Sequence, residues 1–264
     1  MPASDTAPDP IAAREDRLRA WLFREQDPAL RTINGLDVGW GGVQRWATAR
    51  MPQPTKRPHL DFACGAGTFL AELGWRFPNA RLVGLNIDFD GPHAVARRLL
   101  KKADVPAQLV RADARHMPFP RATFGSASCF LGLQDIQIGF GEPGLTAALQ
   151  EAGRVLRRGG MLTLMDDFPV ERLEKSIRGL PFEIRDRAER ELGVRWDREI
   201  AERAIDLYAD GWVEQGRIRD PRERKRFRAS VYRRLKENMD AQLFARRFYV
   251  PFGPTRFVVA RKTS

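Results

Sequence analysis

Cysteine and histidine are scarce in this chain, which has 2 cysteines and 3 histidines among 264 residues. So few cysteine and histidine side chains do not suit a disulfide framework or a zinc site, and we expect no metal. No apolar run approaches the ~18 residues that a membrane-spanning helix needs. The first ten residues are small, polar and acidic, unlike a secretory signal peptide. We therefore expect a cytoplasmic protein.

Acidic charge is lacking in one region only. Over the whole chain, 45 Lys and Arg residues exceed 34 Asp and Glu residues, which gives a formal net charge of +11. Residues 215–264 hold 15 of the basic residues and 4 of the acidic ones, so the preceding 214 residues hold 30 of each sign. The positive charge is therefore local. With 43% hydrophobic residues the chain can bury a core, which excludes global disorder.

From residue 59 onward, short apolar runs alternate with helical patterns, which is typical of βαβ units and a mostly parallel sheet. The predicted strands are 59–63, 81–86, 107–111, 124–131, 161–165, 182–187 and 257–261. The predicted helices are 10–26, 43–50, 68–77, 92–103, 145–156 and 197–215, with another starting at 220–223. We predict an α/β fold with a helical N-terminal extension or lid over residues 1–57. The main domain is then 58–264, with a helical insert of about 188–250 between the sixth and seventh strands.

The most informative motif is the turn that follows the first predicted strand. Gly65 and Gly67 can take positive φ and let a ligand approach the backbone, and the next helix points its free N–H groups at that ligand. The third glycine of a dinucleotide fingerprint would fall at Leu70, and no Gly-Lys-Ser/Thr follows. The pattern therefore disfavours a dinucleotide site and excludes a phosphate loop, leaving a plain structural turn as the alternative.

Four blocks in order over residues 59–167 resemble motifs of the class I S-adenosylmethionine-dependent methyltransferases. The blocks are Asp61–Gly67, Val83–Asp88, Arg111–Phe119 and Glu151–Gly160. The first departs from the family pattern at Ala63, where a glycine is usual. This resemblance implies a Rossmann-like, seven-stranded sheet with helices on both faces, and S-adenosylmethionine as the cofactor.

The same resemblance implies a set of cofactor-binding residues. They are Asp61, Ala63, Gly65, Gly67, Asn86, Ile87, Asp113, Ala114 and Phe130. Asp61 would attract the ammonium group of the cofactor. Asn86, or Asp88 if the alignment slips, would bind the ribose hydroxyls, and Asp113 would accept a hydrogen bond from the adenine amine. Ordinary strand-end and turn-capping roles are the alternatives for Asn86 and Asp113.

The methyl acceptor should lie past the fourth and fifth strands, because ligands of such folds bind beyond the carboxyl ends of the strands. In-line methyl transfer needs positioning in a dry pocket, and a base only where the acceptor must lose a proton. Our candidates for that base are Asp135 first, then Asp166 and Asp167, although acidic residues at strand ends also act as caps. The predicted substrate-binding residues are Trp40, Gln134, Asp135, Tyr208 and Trp212. Cys64 and Cys129 are expected to be unreactive.

The segment Leu36–Gly41 is similar to the N-terminal stretch of methyltransferases that act on tocopherol precursors, sterols and glycine-derived amines. We therefore predict a small-molecule acceptor. The basic cluster at residues 222–236, beside Phe227 and Tyr232, leaves two alternatives open. One is an RNA methyltransferase, and the other is a peripheral lipid or quinone methyltransferase that docks on an anionic membrane. A solvated helix face is the simpler interpretation of the cluster, and the sequence gives no prediction of oligomeric state.

Overall fold

The structure, a computed structural model, describes most of the chain. The described residues are 10–24, 41–87, 92–166, 168, 170–195, 220–245 and 249–264, together with residues 202, 205, 206, 209, 210 and 213. The helices are α1 Pro10–Arg24, α2 Gly41–Arg50, α3 Thr68–Arg76, α4 Pro92–Ala103, α5 Leu133–Val155, α6 Val170–Ile177 and α7 Pro221–Ala245. The strands are β1 His59–Phe62, β2 Leu82–Asn86, β3 Ala107–Arg111, β4 Phe124–Phe130, β5 Leu156–Asp166, β6 Phe182–Arg195 and β7 Tyr249–Lys262.

The strands form one seven-stranded sheet in the order β3-β2-β1-β4-β5-β7-β6. Neighbours from β3 to β5 are parallel, whereas β7 runs antiparallel to β5. The predicted mostly parallel, Rossmann-like sheet is therefore confirmed. The order reverses between β1 and β4, and the crevice at such a switch point is where ligands of doubly wound sheets bind.

The central strands β1 and β4 are buried along nearly their whole length. All four residues of β1 are buried, as are the first six of β4. Strands covered by helices on both faces need apolar side chains on both faces. Phe62, Phe124 and Phe257 are fully buried there and anchor the core. The polar residues of these two strands, His59, Asp61, Ser126 and Ser128, are therefore buried as well.

Two helical regions differ from the sequence prediction. Helix α5 begins at Leu133 rather than Leu145, and its two halves join across a non-helical residue, Gly141 (φ 68°, ψ −174°). It ends at Val155, within one residue of the predicted end at residue 156, and extended backbone at Leu156 already starts β5. Helix α6 was not predicted.

The chain divides into two compact units. The first comprises Met1–Leu18, Val43–Glu191 and Gly253–Ser264, and the second comprises Arg19–Gly42 and Leu192–Phe252. The predicted boundary at residue 57 stays a prediction. Within the part of the chain that the structure describes, no helix has both the length and the apolar character needed to cross a bilayer.

The second unit contains α7 and the helical residues 202, 205, 206, 209, 210 and 213. Asp220 caps α7, as predicted, because its carboxylate accepts a hydrogen bond from the Glu223 N–H at 2.7 Å. Arg228 donates to Asp210 at 2.5 Å and to Asp206 at 3.0 Å, while Lys236 lies 3.4 Å from Glu202. From Arg228 to Lys236 the residue numbers in α7 rise, while those of the partners fall from Asp210 to Glu202, so the two segments run antiparallel.

Candidate active site

The predicted cofactor residues gather along one edge of the sheet. Because β1, β2, β3 and β4 are parallel, their carboxyl ends lie at the same edge. Backbone bonds tie the turns together: Cys64 N–H donates to Leu85 O at 3.1 Å, and Ala112 N–H donates to Asn86 O at 3.0 Å. The edge therefore carries Asp61 to Gly67, Asn86 and Ile87, Asp113 and Ala114, and Phe130.

In the turn after β1, the backbone borders open space. Gly65 and Gly67 have φ values of 49° and 81°, in the left-handed region that favours glycine. Gly67 occupies the N-cap position of α3 without a side-chain cap, so the first turn of that helix keeps N–H groups for a ligand. A Cβ added at Gly65 would meet nothing within 4 Å. A ligand could therefore lie against this backbone.

Strained residues end the two strands at the switch point. Ala63 after β1 (φ 57°) and Leu131 after β4 (φ 51°) are non-glycine residues in the left-handed region. A Cβ at Gly132 would lie 2.6 Å from the Cβ of Ala63, so the two turns pack directly on each other. Such strain persists where the surrounding structure enforces it, and it often marks ligand sites. The positive φ of Ala63 is a conformation that glycine, the usual residue of the family pattern at this position, adopts without strain.

Asp61 is a buried carboxylate with one available oxygen. The residue is 1% exposed, and its Oδ1 accepts a hydrogen bond of 2.6 Å from Ser128 Oγ. Its Oδ2 has no hydrogen-bond partner among the described residues. Burial raises the pKa of Asp61 to about 7, although the bond from Ser128 opposes that rise. The free oxygen is suited to a strong bond from a cationic N–H group.

His59 extends this buried polar group, and it was not among the predicted site residues. Its Nδ1 lies 2.8 Å from Ser126 Oγ and its Nε2 lies 2.9 Å from Ser128 Oγ. Burial lowers the pKa of His59 to about 3, so the ring is neutral. A visible signal existed, because β1 and β4 each place polar residues two positions apart, on one face. The strand register then pairs His59 with Ser126 and Asp61 with Ser128.

Asp113, the other predicted cofactor carboxylate, is already engaged. The guanidinium of Arg115 donates to both oxygens at 2.5–3.0 Å, and the Arg115 backbone N–H donates to Oδ1 at 2.8 Å. These bonds, above all those from the side chain, lower the pKa of Asp113. Arg115 also lies 3.5 Å from the ring centroid of Phe140. The capping role is thus present, and adenine recognition by Asp113 stays a prediction.

Further predicted residues occupy the same edge with less distinctive contacts. The ring of Phe130 stacks on Phe69 with centroids 4.6 Å apart, which fixes the end of β4 against α3. Asn86 and Ile87 are half-buried at the end of β2, and Ala114 is buried. Asp88 lies outside the described residues.

On the acceptor side, Gln134 is half-buried and Asp135 is exposed in the first turn of α5. Asp166 is fully buried, and its Oδ2 accepts a hydrogen bond of 3.0 Å from Leu133 N–H, the first residue of that helix. This contact gives Asp166 a capping role. Trp40, Asp167, Tyr208 and Trp212 lie outside the described residues. The assignments of base and substrate-binding residues stay predictions.

Neither cysteine is suited to nucleophilic chemistry. Both thiols are buried and free, and burial raises the pKa of Cys64 and of Cys129. The thiolate is the reactive form, and burial disfavours it. The described part of the chain also contains no group of three or more His, Cys, Asp or Glu side chains placed to hold a metal ion.

A family model described as a methyltransferase domain matches residues 60–160, the stretch that contains this edge. These residues therefore form a methyltransferase domain. A demethylmenaquinone methyltransferase of Deinococcus radiodurans is 30% identical to this chain over 168 residues, which are 61% of this chain and 65% of that protein. The chain spans between half and about two thirds of the length of the curated relatives that it matches.

Solved structures support the same fold. A methyltransferase from Bacillus halodurans superposes with a TM-score of 0.55 at 16% identity, covering 84% of this chain and 98% of that one. A Haemonchus contortus phosphoethanolamine N-methyltransferase in complex with S-adenosylhomocysteine gives a TM-score of 0.53 at 14% identity, covering 94% and 57%. The residues at this edge fit S-adenosylmethionine, because a buried carboxylate oxygen that has no partner among the described residues adjoins a glycine turn with open space.

Proposed function

We propose that the protein transfers a methyl group from S-adenosylmethionine to a small-molecule acceptor. The observation that carries the proposal is the buried Asp61 Oδ2, which lacks a partner among the described residues beside the glycine turn. A buried polar atom left unpaired costs about 1–3 kcal/mol, and more when it is charged. A ligand ammonium at this position would remove that cost. The cofactor has such an ammonium, and it supplies an electrophilic methyl group on its sulfonium sulfur.

The residues of the edge would bind and orient the two reactants. Gly65 and Gly67 would let the amino-acid part lie against the backbone, and Asn86 would accept and donate hydrogen bonds at the ribose. The half-exposed Asp113 would share its carboxylate between Arg115 and the adenine amine. Holding donor and acceptor in line is itself a large part of catalysis for this reaction.

For the acceptor we propose a quinone-type aromatic ring in its reduced form. The support is the 30% identity to a demethylmenaquinone methyltransferase, together with two exposed apolar side chains just past β4. Ile138 is 81% exposed and Phe140 is 38% exposed. A ring carbon would take the methyl group as the carbon–sulfur bond breaks. The ring would then lose its proton to a base, for which Asp135 is our candidate.

The RNA alternative has less support from α7. Arg228 is held by Asp206 and Asp210, so part of the basic cluster is neutralised within the second unit. Arg222, Lys225 and Arg226 are exposed. An exposed basic helix face is compatible with any anionic surface, so it does not by itself favour RNA.

Calorimetry with S-adenosylmethionine and S-adenosylhomocysteine tests the cofactor. We expect dissociation constants in the micromolar range, and no heat with either ligand would contradict the proposal. Transfer of an isotopically labelled methyl group then tests the acceptor, with a reduced demethylated naphthoquinone against an RNA oligonucleotide at two salt concentrations. Label in the RNA that falls steeply with salt would favour the alternative.

A further inference from the structure

Four buried polar side chains form a continuous hydrogen-bonded line across β1 and β4. Ser126 contacts His59 at 2.8 Å, His59 contacts Ser128 at 2.9 Å, and Ser128 contacts Asp61 at 2.6 Å. All four residues are buried. Polar groups in the middle of a covered sheet are costly unless they are paired. Packing alone therefore does not explain why four polar side chains occupy these positions.

The proton positions along this line follow from its two ends. The ionised carboxylate of Asp61 only accepts, so Ser128 must donate its hydroxyl proton to Oδ1. Ser128 Oγ then accepts from Nε2–H of His59. A neutral imidazole has a single N–H, so Nδ1 accepts from the hydroxyl of Ser126. The hydrogen-bond pattern thus assigns one tautomer and one direction of donation.

We infer that His59 is a positioning residue for the ammonium of the cofactor, acting through Ser128 and Asp61. Its N–H occupies Ser128 Oγ as acceptor, which directs the serine hydroxyl at Oδ1 of Asp61. The carboxylate is then held by one oxygen while the other is kept for the ligand. This inference rests on the proposed function, and it adds residues on two strands that lie behind the ligand-contacting carboxylate.

Ligand charge separates this role from a structural one. S-adenosylhomocysteine carries the ammonium, whereas 5′-methylthioadenosine has the nucleoside and sulfur without the amino-acid part. We expect Ser128→Ala to weaken S-adenosylhomocysteine ~10-fold and to change 5′-methylthioadenosine less than ~2-fold. Ser126→Ala is the matched control, because it removes the same kind of hydroxyl two hydrogen bonds further along the line and should have a smaller effect.

His59 itself is tested by a pair of variants. His59→Leu removes both ring nitrogens, and we expect it to lose affinity for S-adenosylhomocysteine as Ser128→Ala does. His59→Gln keeps a side-chain N–H, and it should recover most of that loss. If His59→Leu does not fold, as judged by circular dichroism, the serine pair still decides the matter.

The pH profile of binding gives an independent readout. In the wild type, affinity for S-adenosylhomocysteine should rise as the pH passes about 7, because Asp61 ionises there. The bond from Ser128 lowers the pKa of Asp61, so Ser128→Ala should move the rise to higher pH. Besides His59, the titratable neighbours of Asp61 in the described residues are the thiols of Cys64 and Cys129, and Asp166 lies next to Cys129. Burial keeps both thiols neutral in this range.

The outcomes distinguish the inference from the proposed function. Equal losses for the two ligands, or an unshifted pH profile in Ser128→Ala, would overturn the positioning role. Wild-type protein that binds neither ligand would instead overturn the proposed function. A loss confined to S-adenosylhomocysteine, with the shifted profile, would support both.

Discussion

The two carboxylates predicted to hold opposite ends of the cofactor stand in opposite environments. Asp61 after β1 is buried, with one oxygen unpartnered among the described residues and its pKa raised. Asp113 after β3 is half-exposed, held by Arg115, and has its pKa lowered. The motifs predicted the same feature in both cases, a carboxylate at the end of a strand, yet the two carboxylates differ in burial, hydrogen bonding and pKa. Asp61 has one oxygen without a partner among the described residues, whereas both oxygens of Asp113 accept hydrogen bonds from Arg115.

This difference shows where binding free energy should come from. A ligand that reaches Asp61 relieves an existing cost, so most of its interaction counts toward affinity. A ligand that reaches Asp113 must share a carboxylate that Arg115 already binds, so its net gain is smaller. We therefore expect the ammonium end to dominate affinity and the adenine end to orient the cofactor.

The largest expected effect is on ligand affinity at Asp61. Asp61→Asn should weaken S-adenosylhomocysteine by about 2 kcal/mol, roughly 30-fold, because a charge-assisted hydrogen bond is lost. Asp113→Asn should weaken it less than ~5-fold. Calorimetry at pH 8 measures both variants against the wild type. Equal losses would remove the distinction between the two carboxylates.

The next effect is on stability, and it has the opposite sign. The folded-state pKa of Asp61 is about 7 against an ordinary value of 3.8, so between those values the folded protein binds more protons than the unfolded chain. Stability contributed by Asp61 therefore falls as pH rises from about 4 to about 7. In urea at pH 8, the free energy of unfolding of Asp61→Asn should be about 1–2 kcal/mol higher than that of the wild type, and the difference should vanish near pH 4. A variant less stable than the wild type at pH 8 would contradict the cost assigned to burying this ionised carboxylate.

A smaller effect is expected at the strained turn beside Asp61. Ala63→Gly should raise the free energy of unfolding by about 0.5–1 kcal/mol, because glycine adopts φ near +57° without the penalty of a Cβ. Ala66→Gly, in the same turn, is the matched control and should not stabilise. Thermal unfolding measures both, and stabilisation of the control alone would show that the φ of Ala63 is not the cause.

The smallest effect should follow from releasing Asp113. Arg115→Gln removes the side-chain cation, so the pKa of Asp113 should return toward its ordinary value. Affinity for 5′-methylthioadenosine, which lacks the ammonium that would meet Asp61, should then change by no more than a few-fold at pH 7, but should fall off at higher pH than in the wild type when the solution is acidified. Titration of binding between pH 3 and pH 7 measures this. If affinity decreases over the same pH range in the variant and in the wild type, the cofactor does not use Asp113.

Much of this arrangement could be predicted from local sequence. The strands β1 to β4 were located within one or two residues, because buried parallel strands are short apolar runs between glycine and proline turns. The start of α5 could not be found in that way. Gly139, Gly141 and Pro143 resemble a loop, and the cap that starts the helix is Asp166 on a distant strand.

The electrostatic state of the site was beyond the sequence for a related reason. Asp61 was found from its motif, but nothing local shows that Ser128 binds one of its oxygens. That contact depends on the register between β1 and β4, which pairs residues 67 positions apart. The alternating polar residues were visible, yet only the register makes them one line.

The order of strands also has a consequence for how the protein is made. β6 ends the sheet, and its one neighbour there is β7, which follows it in the chain. During translation, therefore, β6 leaves the ribosome well before its partner strand has been synthesised. Exposed strand edges recruit other strands, and charged side chains discourage this. Glu183, Arg185, Asp186 and Arg187 place charge along β6, so the nascent chain has its own protection against aggregation during that interval.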